Sequence, residues 1–251
     1  MIGDRLCLRV SEPMKDRDSS RLPEKASRGD IDSFLRQVAG LPTLKPGGQR
    51  GRLIFAMDAT ASREPTWNQA CRIQARMFTE TASLGGLDIQ LCYYRGFQEF
   101  EATAWLHEPN ALSRQMTAVH CLGGYTQIDK VLSHAVEASR GNRVHALVFV
   151  GDCMEEDSDR LCHRAGELGI LGIPAFVFQE GDDPVAERAF RQIARLSNGA
   201  YCRFDSSSPR QLRDLLSAVA VYAAGGRTAL EDFSRQRGGI VLQLPHQVRK
   251  G

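Results

Sequence analysis

Short, uncharged apolar runs alternate with longer stretches in which apolar residues recur every three or four positions, from residue 52 to residue 223. RLIFAMD (52–58), VHALVFVGD (144–152), IPAFVFQE (173–180) and AYCRF (200–204) have the length and composition of buried strands. Helical spacing links Trp67, Ala70, Cys71, Ala75, Phe78 and Ala82 into one helix that stops near Gly85-Gly86. It also links Ile128, Val131, Leu132, Ala135 and Val136 on one face. Leu161, Ala165 and Leu168 mark a polar-faced helix over 155–169, and Val185, Ala189, Phe190, Ile193 and Leu196 the next. Leu212, Leu215, Leu216, Val219 and Ala223 mark the last, and 109–118 reads as a short helix. DIQLCYYRG (88–96) and FQEFEATAW (97–105) predict an antiparallel hairpin turning at Gly96.

Strands and helices in this order predict an α/β fold. It is a Rossmann-like open sheet of six strands, mostly parallel, with helices on both faces and one antiparallel edge strand. Its expected extent is residues 51–224. Residues 1–50 read as a polar arm with a short helix at IDSFLRQVAG (31–40) and a Pro/Gly linker. Residues 225–251 read as a C-terminal extension, with a short helix over 225–239 and a brief strand, IVLQLP (240–245).

Composition narrows the function. The 251 residues are 42% hydrophobic, enough for one sizeable core. Lys+Arg number 32 and Asp+Glu 30, a net charge of +2 that argues against nucleic-acid binding through bulk charge. No apolar run has the length to span a bilayer, and the first residues are charged throughout, so the expected location is cytoplasmic, away from membranes. Seven cysteines are scattered without a CxxC pair, which argues against a disulfide scaffold. Cys71, Cys92 and Cys202 read as small core fillers. Cys153, Cys162 and His163 match no structural zinc spacing, although Cys153 lies beside Asp152.

Chemistry concentrates at segment ends. Asp58, Thr60 and Ser62 follow the first strand in DATAS, Thr126 precedes a helix in GGYT, and Asp152 follows the strand HALVFV. Loops at the carboxyl ends of strands in an open α/β sheet converge on one crevice. Two carboxylates and three hydroxyls meeting there suit a hard divalent cation, Mg²⁺ first and Mn²⁺ or Ca²⁺ as alternatives. Two carboxylates only balance the ion's charge, so a carboxylate from another molecule is a strong further ligand. Helix capping is the competing role: Thr60 or Ser62 for a helix starting near Arg63, Thr126 for the helix at Ile128, Asp152 for one near Glu155. Glu155, Glu156, Asp157 and Asp159 read as a favourable charge set in the first turn of a helix, or as an acidic rim to the metal. Tyr125, beside Thr126, reads as an exposed partner contact.

DATAS, GGYT with its amphipathic helix, and FVGD together resemble the metal-ion-dependent adhesion site (MIDAS) of von Willebrand factor type A (VWA) domains. The resemblance covers about residues 50–224. It implies that Thr60, Ser62 and Thr126 bind metal through oxygen, with Asp58 and Asp152 acting largely through water. Thr60 stands where the family usually has Ser, and keeps the hydroxyl. The resemblance further implies a non-enzymatic adhesion or adaptor module that docks an acidic residue of a protein partner. Intracellular bacterial members often accompany ATPases or chaperone-like assemblies. Two other functions compete. A Mg²⁺-dependent phosphatase would use Asp58 as nucleophile, but needs an acid two residues on, where Thr60 stands. A structural VWA-like module would leave the site empty.

Overall fold

The computed structural model describes residues 50–204 and 209–236, with Ser33 as a single helical position before them. The arm and linker expected over 1–50 and the strand expected over 240–245 lie outside the described residues, apart from Ser33 and Arg50.

β1 is Gly51–Asp58. The expected first helix follows as a 3-10 turn, Ala61–Arg63, then α1 (Glu64–Ile73), α2 (Ala75–Thr81) and a closing 3-10 turn, Ala82–Leu84. The periodicity is thus real, but the helix is divided at Gln74. Gly85 at φ 96° ends the segment in a left-handed conformation that only glycine takes without strain. β2 (Leu87–Arg95) and β3 (Glu99–Ala102) form the antiparallel hairpin around Gly96. α3 (Pro109–Thr117), α4 (Ile128–Gly141), β4 (Ala146–Gly151), α5 (Ser158–Leu171), β5 (Ala175–Glu180), α6 (Pro184–Leu196) and β6 (Ala200–Phe204) complete the alternation. α7 spans Pro209–Gln236.

The sheet has the order β3-β2-β1-β4-β5-β6. All pairings are parallel except β2 with β3. β1 and β4 are therefore central neighbours, with Met57 opposite Val150. Alternate residues of each strand feed opposite cores. Leu53, Phe55 and Met57 join Ala146, Val148, Val150, Phe176 and Phe178 on one face, under α1, α2, α3 and α7. Ile54 and Ala56 join Leu147, Phe149 and Val177 on the other, under α4, α5 and α6. Coverage of both faces is why these strands lack polar alternation. Each such side chain, when large and fully buried, contributes about 1.5–3 kcal/mol.

α7 is interrupted at Gly226, where the sequence pattern ends one helix and begins a second, short one. Gly226 takes φ 71°, ψ −164°, outside helical values, so two helical stretches meet there at a kink. Beyond the kink, Leu230 is fully buried in the same core as β1, which explains why the chain stays on the body.

Candidate metal centre

Asp58 closes β1 and is fully buried. Its Oδ1 accepts the Thr60 backbone N–H at 2.7 Å, which folds the DATAS loop back over the strand end. Oδ2 has no hydrogen-bond partner among the described residues. Thr60 Oγ1 lies 3.4 Å from Ser62 Oγ, and Ser62 Oγ donates to Asp152 Oδ2 at 3.0 Å. Asp152 Oδ1 is buried and likewise unpartnered. One oxygen each of Asp58 and Asp152 and the Cys153 sulfur lie within 4.8 Å of one another.

Direct contacts therefore gather Asp58, Thr60, Ser62 and Asp152. Thr126 is tied instead to the loop that follows Asp152, at Glu155. Its N–H donates to Glu155 Oε2 at 3.1 Å, and its Oγ1 accepts the Glu155 N–H at 3.1 Å. Gly124 makes the Thr126 loop possible. A Cβ there would sit 1.9 Å from the Gly96 carbonyl oxygen, whereas at Gly123 it would meet nothing within 4 Å among the described residues. The close approach that demands glycine is to the β2–β3 turn.

None of the capping roles is filled by the residues considered for them. Thr60 precedes the 3-10 turn and Gln127 precedes α4, each without a side-chain cap bond, and α5 is capped by Asp157. The acidic run after Asp152 also divides differently from a single first-turn charge set. Asp157 Oδ1 accepts from Asp159 and Arg160 N–H at 2.9 Å, and only Asp159 falls in the first turn. Glu155 and Glu156 turn away from α5. Glu156 takes the N–H groups of Ile128 and Asp129, the latter at 3.0 Å, and so caps α4 from another loop.

Electrostatics set the site apart. Burial pushes the Asp58 carboxyl up to about 6, with Thr60 hydrogen bonds opposing the rise and the Asp152 charge adding to it. Burial, then Asp152, pushes the Cys153 thiol up to about 12. The fully buried Tyr94 phenol is held well above its ordinary range by burial first and the Asp58 charge second; it is close enough to feel that charge but outside hydrogen-bond geometry. One buried cation answers the carboxylates. Arg63, 2% exposed, pairs with Glu180 and stands 3.6 Å from Asp152 Oδ2. Thr66 Oγ1 also donates to Glu180. The sequence pattern missed Arg63 and Glu180. A charged residue directly after two motif hydroxyls was the available signal for the first.

At the rim, Tyr125 is 60% and Phe97 72% exposed, and their rings meet edge-on at 5.5 Å between centroids.

No family model and no curated protein matches the sequence. Solved structures do match its fold. A von Willebrand factor type A structure from Catenulispora acidiphila aligns with TM-score 0.57 at 14% identity, over 71% of this chain and 44% of that one. The SpRpn10 VWA domain aligns with TM-score 0.53 at 11% identity, over 67% and 94%. Proximal thread matrix protein 1 from the mussel byssus, with a zinc-occupied MIDAS motif, aligns with TM-score 0.53 at 14% identity, over 70% and 49%. This chain thus spans less than half of the first and third structures. At these identities the likeness is one of fold.

Proposed function

We propose that this chain, which has the von Willebrand factor type A fold, is a metal-dependent protein-binding module that docks an exposed Asp or Glu of a partner. Asp58, Thr60, Ser62, Thr126 and Asp152 would hold the ion. Hydroxyl and carboxylate donors favour Mg²⁺, with Mn²⁺ or Ca²⁺ as alternatives; the zinc in the MIDAS of the mussel neighbour keeps the identity of the ion open to measurement.

The observation that carries the reading is the pair of buried carboxylate oxygens, Asp58 Oδ2 and Asp152 Oδ1, that have no hydrogen-bond partner among the described residues. Buried charge without a partner costs several kcal/mol, roughly, and a cation is the group that removes this cost. With hydroxyls as the remaining donors, the ion would keep enough positive charge to attract an incoming carboxylate. Phe97 and Tyr125 offer exposed aromatic area beside that point, of the type enriched at interface hot spots.

The reading is non-enzymatic. Phosphoryl transfer to an Asp58 nucleophile would want an acid two residues on to protonate the leaving group, and Thr60 there meets Ser62. No helix among the described residues is long and apolar enough to cross a membrane. A cytoplasmic setting, and work beside an ATPase or chaperone-like assembly, belong to the same proposal.

Affinity capture with Mg²⁺, with EDTA, and with Thr126→Ala in Mg²⁺ tests it. Partners should be retained only by wild type in Mg²⁺. Identical recovery in all three sinks the docking idea, and absence of both heat and thermal shift on adding Mg²⁺ or Mn²⁺ sinks the metal.

A further inference from the structure

We propose that Cys153 equips the same cradle to hold a thiophilic divalent cation, zinc foremost, through Asp58, Asp152 and the Cys153 sulfur. This rests on reading the cradle as a cation site. It adds a sulfur donor and a metal class that five oxygen side chains alone do not select.

The geometry is local. Successive residues of an extended strand point to opposite faces, so Asp152 and Cys153 would diverge if β4 continued. β4 ends at Gly151, and Asp152 opens a bend. The bend brings the Cys153 sulfur and one Asp152 oxygen into the same 4.8 Å cluster as an Asp58 oxygen. Zinc sits about 2.3 Å from sulfur and 2.0–2.2 Å from carboxylate oxygen, so closure by roughly an ångström brings all three into ligation. That movement is within reach of side-chain rotation.

The cluster does not rest on a thiol by itself. Asp58 is fully buried, and its Oδ2 and the buried Asp152 Oδ1 have no hydrogen-bond partner among the described residues. Cys153 is a half-buried free thiol. Ligation would form a sulfur–zinc bond and release the thiol proton to solvent. A thiolate is soft, and zinc lies above magnesium and manganese in preference for such a donor. Three protein ligands with a fourth position open is the pattern of a zinc site that keeps room for an exogenous ligand.

The test uses the full chain stripped of metal, Zn²⁺ in competition with a chromophoric chelator, and Mg²⁺ by calorimetry. Cys153→Ser is expected to lower the ratio of Zn²⁺ to Mg²⁺ affinity by about 100-fold, and Asp58→Asn to abolish binding of both. Co²⁺-loaded wild type should show a near-ultraviolet thiolate-to-metal charge-transfer band that Cys153→Ser and Cys153→Ala lack. Far-ultraviolet circular dichroism in EDTA establishes that each variant is folded. An unchanged ratio, or a Co²⁺ spectrum without the band, overturns the role of Cys153 while leaving the Mg²⁺ site standing. Failure of wild type to bind either cation overturns both.

Discussion

Ser62 Oγ and Asp152 Oδ2, 90 positions apart in sequence, are joined by a 3.0 Å hydrogen bond. The bond ties the entrance of α1 to the carboxyl end of β4. The second Asp152 oxygen and one Asp58 oxygen have no hydrogen-bond partner among the described residues. The metal-free site is therefore electrostatically strained, and that strain is measurable.

Asp58 should make the metal-free protein less stable at high pH. Its carboxyl rises from 3.8 to about 6, so the folded chain holds this proton more tightly than the unfolded chain. Stability from this group is full below the unfolded value and is lost as pH rises through about 6. At pH 8 in EDTA, Asp58→Asn is expected to be more stable than wild type by about 3 kcal/mol, with the gap closing by about pH 4. Urea denaturation across this range checks it; a variant weaker than wild type at pH 8 contradicts the burial penalty.

Arg63 should behave oppositely. Removing it strands Glu180 and Asp152 without their nearest cation. Arg63→Met is expected to cost about 3–5 kcal/mol in EDTA. Saturating Mg²⁺ should then raise its melting temperature more than that of wild type. Equal metal-induced shifts in the two proteins would show that Arg63 does not share the site's charge.

Glu156→Ala should destabilise α4, because two of its N-terminal N–H groups lose a carboxylate held in another loop. The expected loss is about 1.5–3 kcal/mol. Thr126→Ala, which removes one accepted N–H bond, should cost about 1 kcal/mol and weaken metal binding while the fold survives. Thermal melts and Mg²⁺ calorimetry on both variants separate the effects. A Thr126→Ala protein that binds Mg²⁺ like wild type removes Thr126 from the proposed ligands.

The two glycines of GGYT should differ sharply. Gly124→Ala drives a methyl group into the Gly96 carbonyl, whereas Gly123→Ala meets open space. The first is expected to lower both stability and metal affinity, and the second to change stability by no more than about 1 kcal/mol. Similar melting temperatures for the two variants would count against the packed turn.

The sheet was legible because its strands are buried on both faces: RLIFAM and HALVFV leave no polar alternation to confuse with a surface strand. Gly96 and its flanking β-formers marked the antiparallel edge equally well. The neighbourhood of Asp58, Ser62 and Asp152 followed from topology, since strand ends on one sheet edge must converge. What stayed hidden was pairing across the fold. Glu156 caps a helix that precedes it in the chain, and Arg63 finds Glu180 at the end of β5. Neither partnership leaves a local spacing to read. The break at Gly226 was legible as well: the glycine pair favours a stop between two helical stretches, and burial of Leu230 keeps the second stretch on the core.

β1 and β4 are bonded neighbours at the middle of the sheet, with Met57 facing Val150. The spacing of the two strand ends, one carrying Asp58 and the other leading into Asp152, is consequently a property of main-chain pairing, about 4.8 Å per strand step, rather than of any side chain. Loop substitutions can re-aim what lies between these jaws, but the calliper itself is locked by the core beneath it. Variation in this molecule is therefore free to retune what is gripped without loosening the grip.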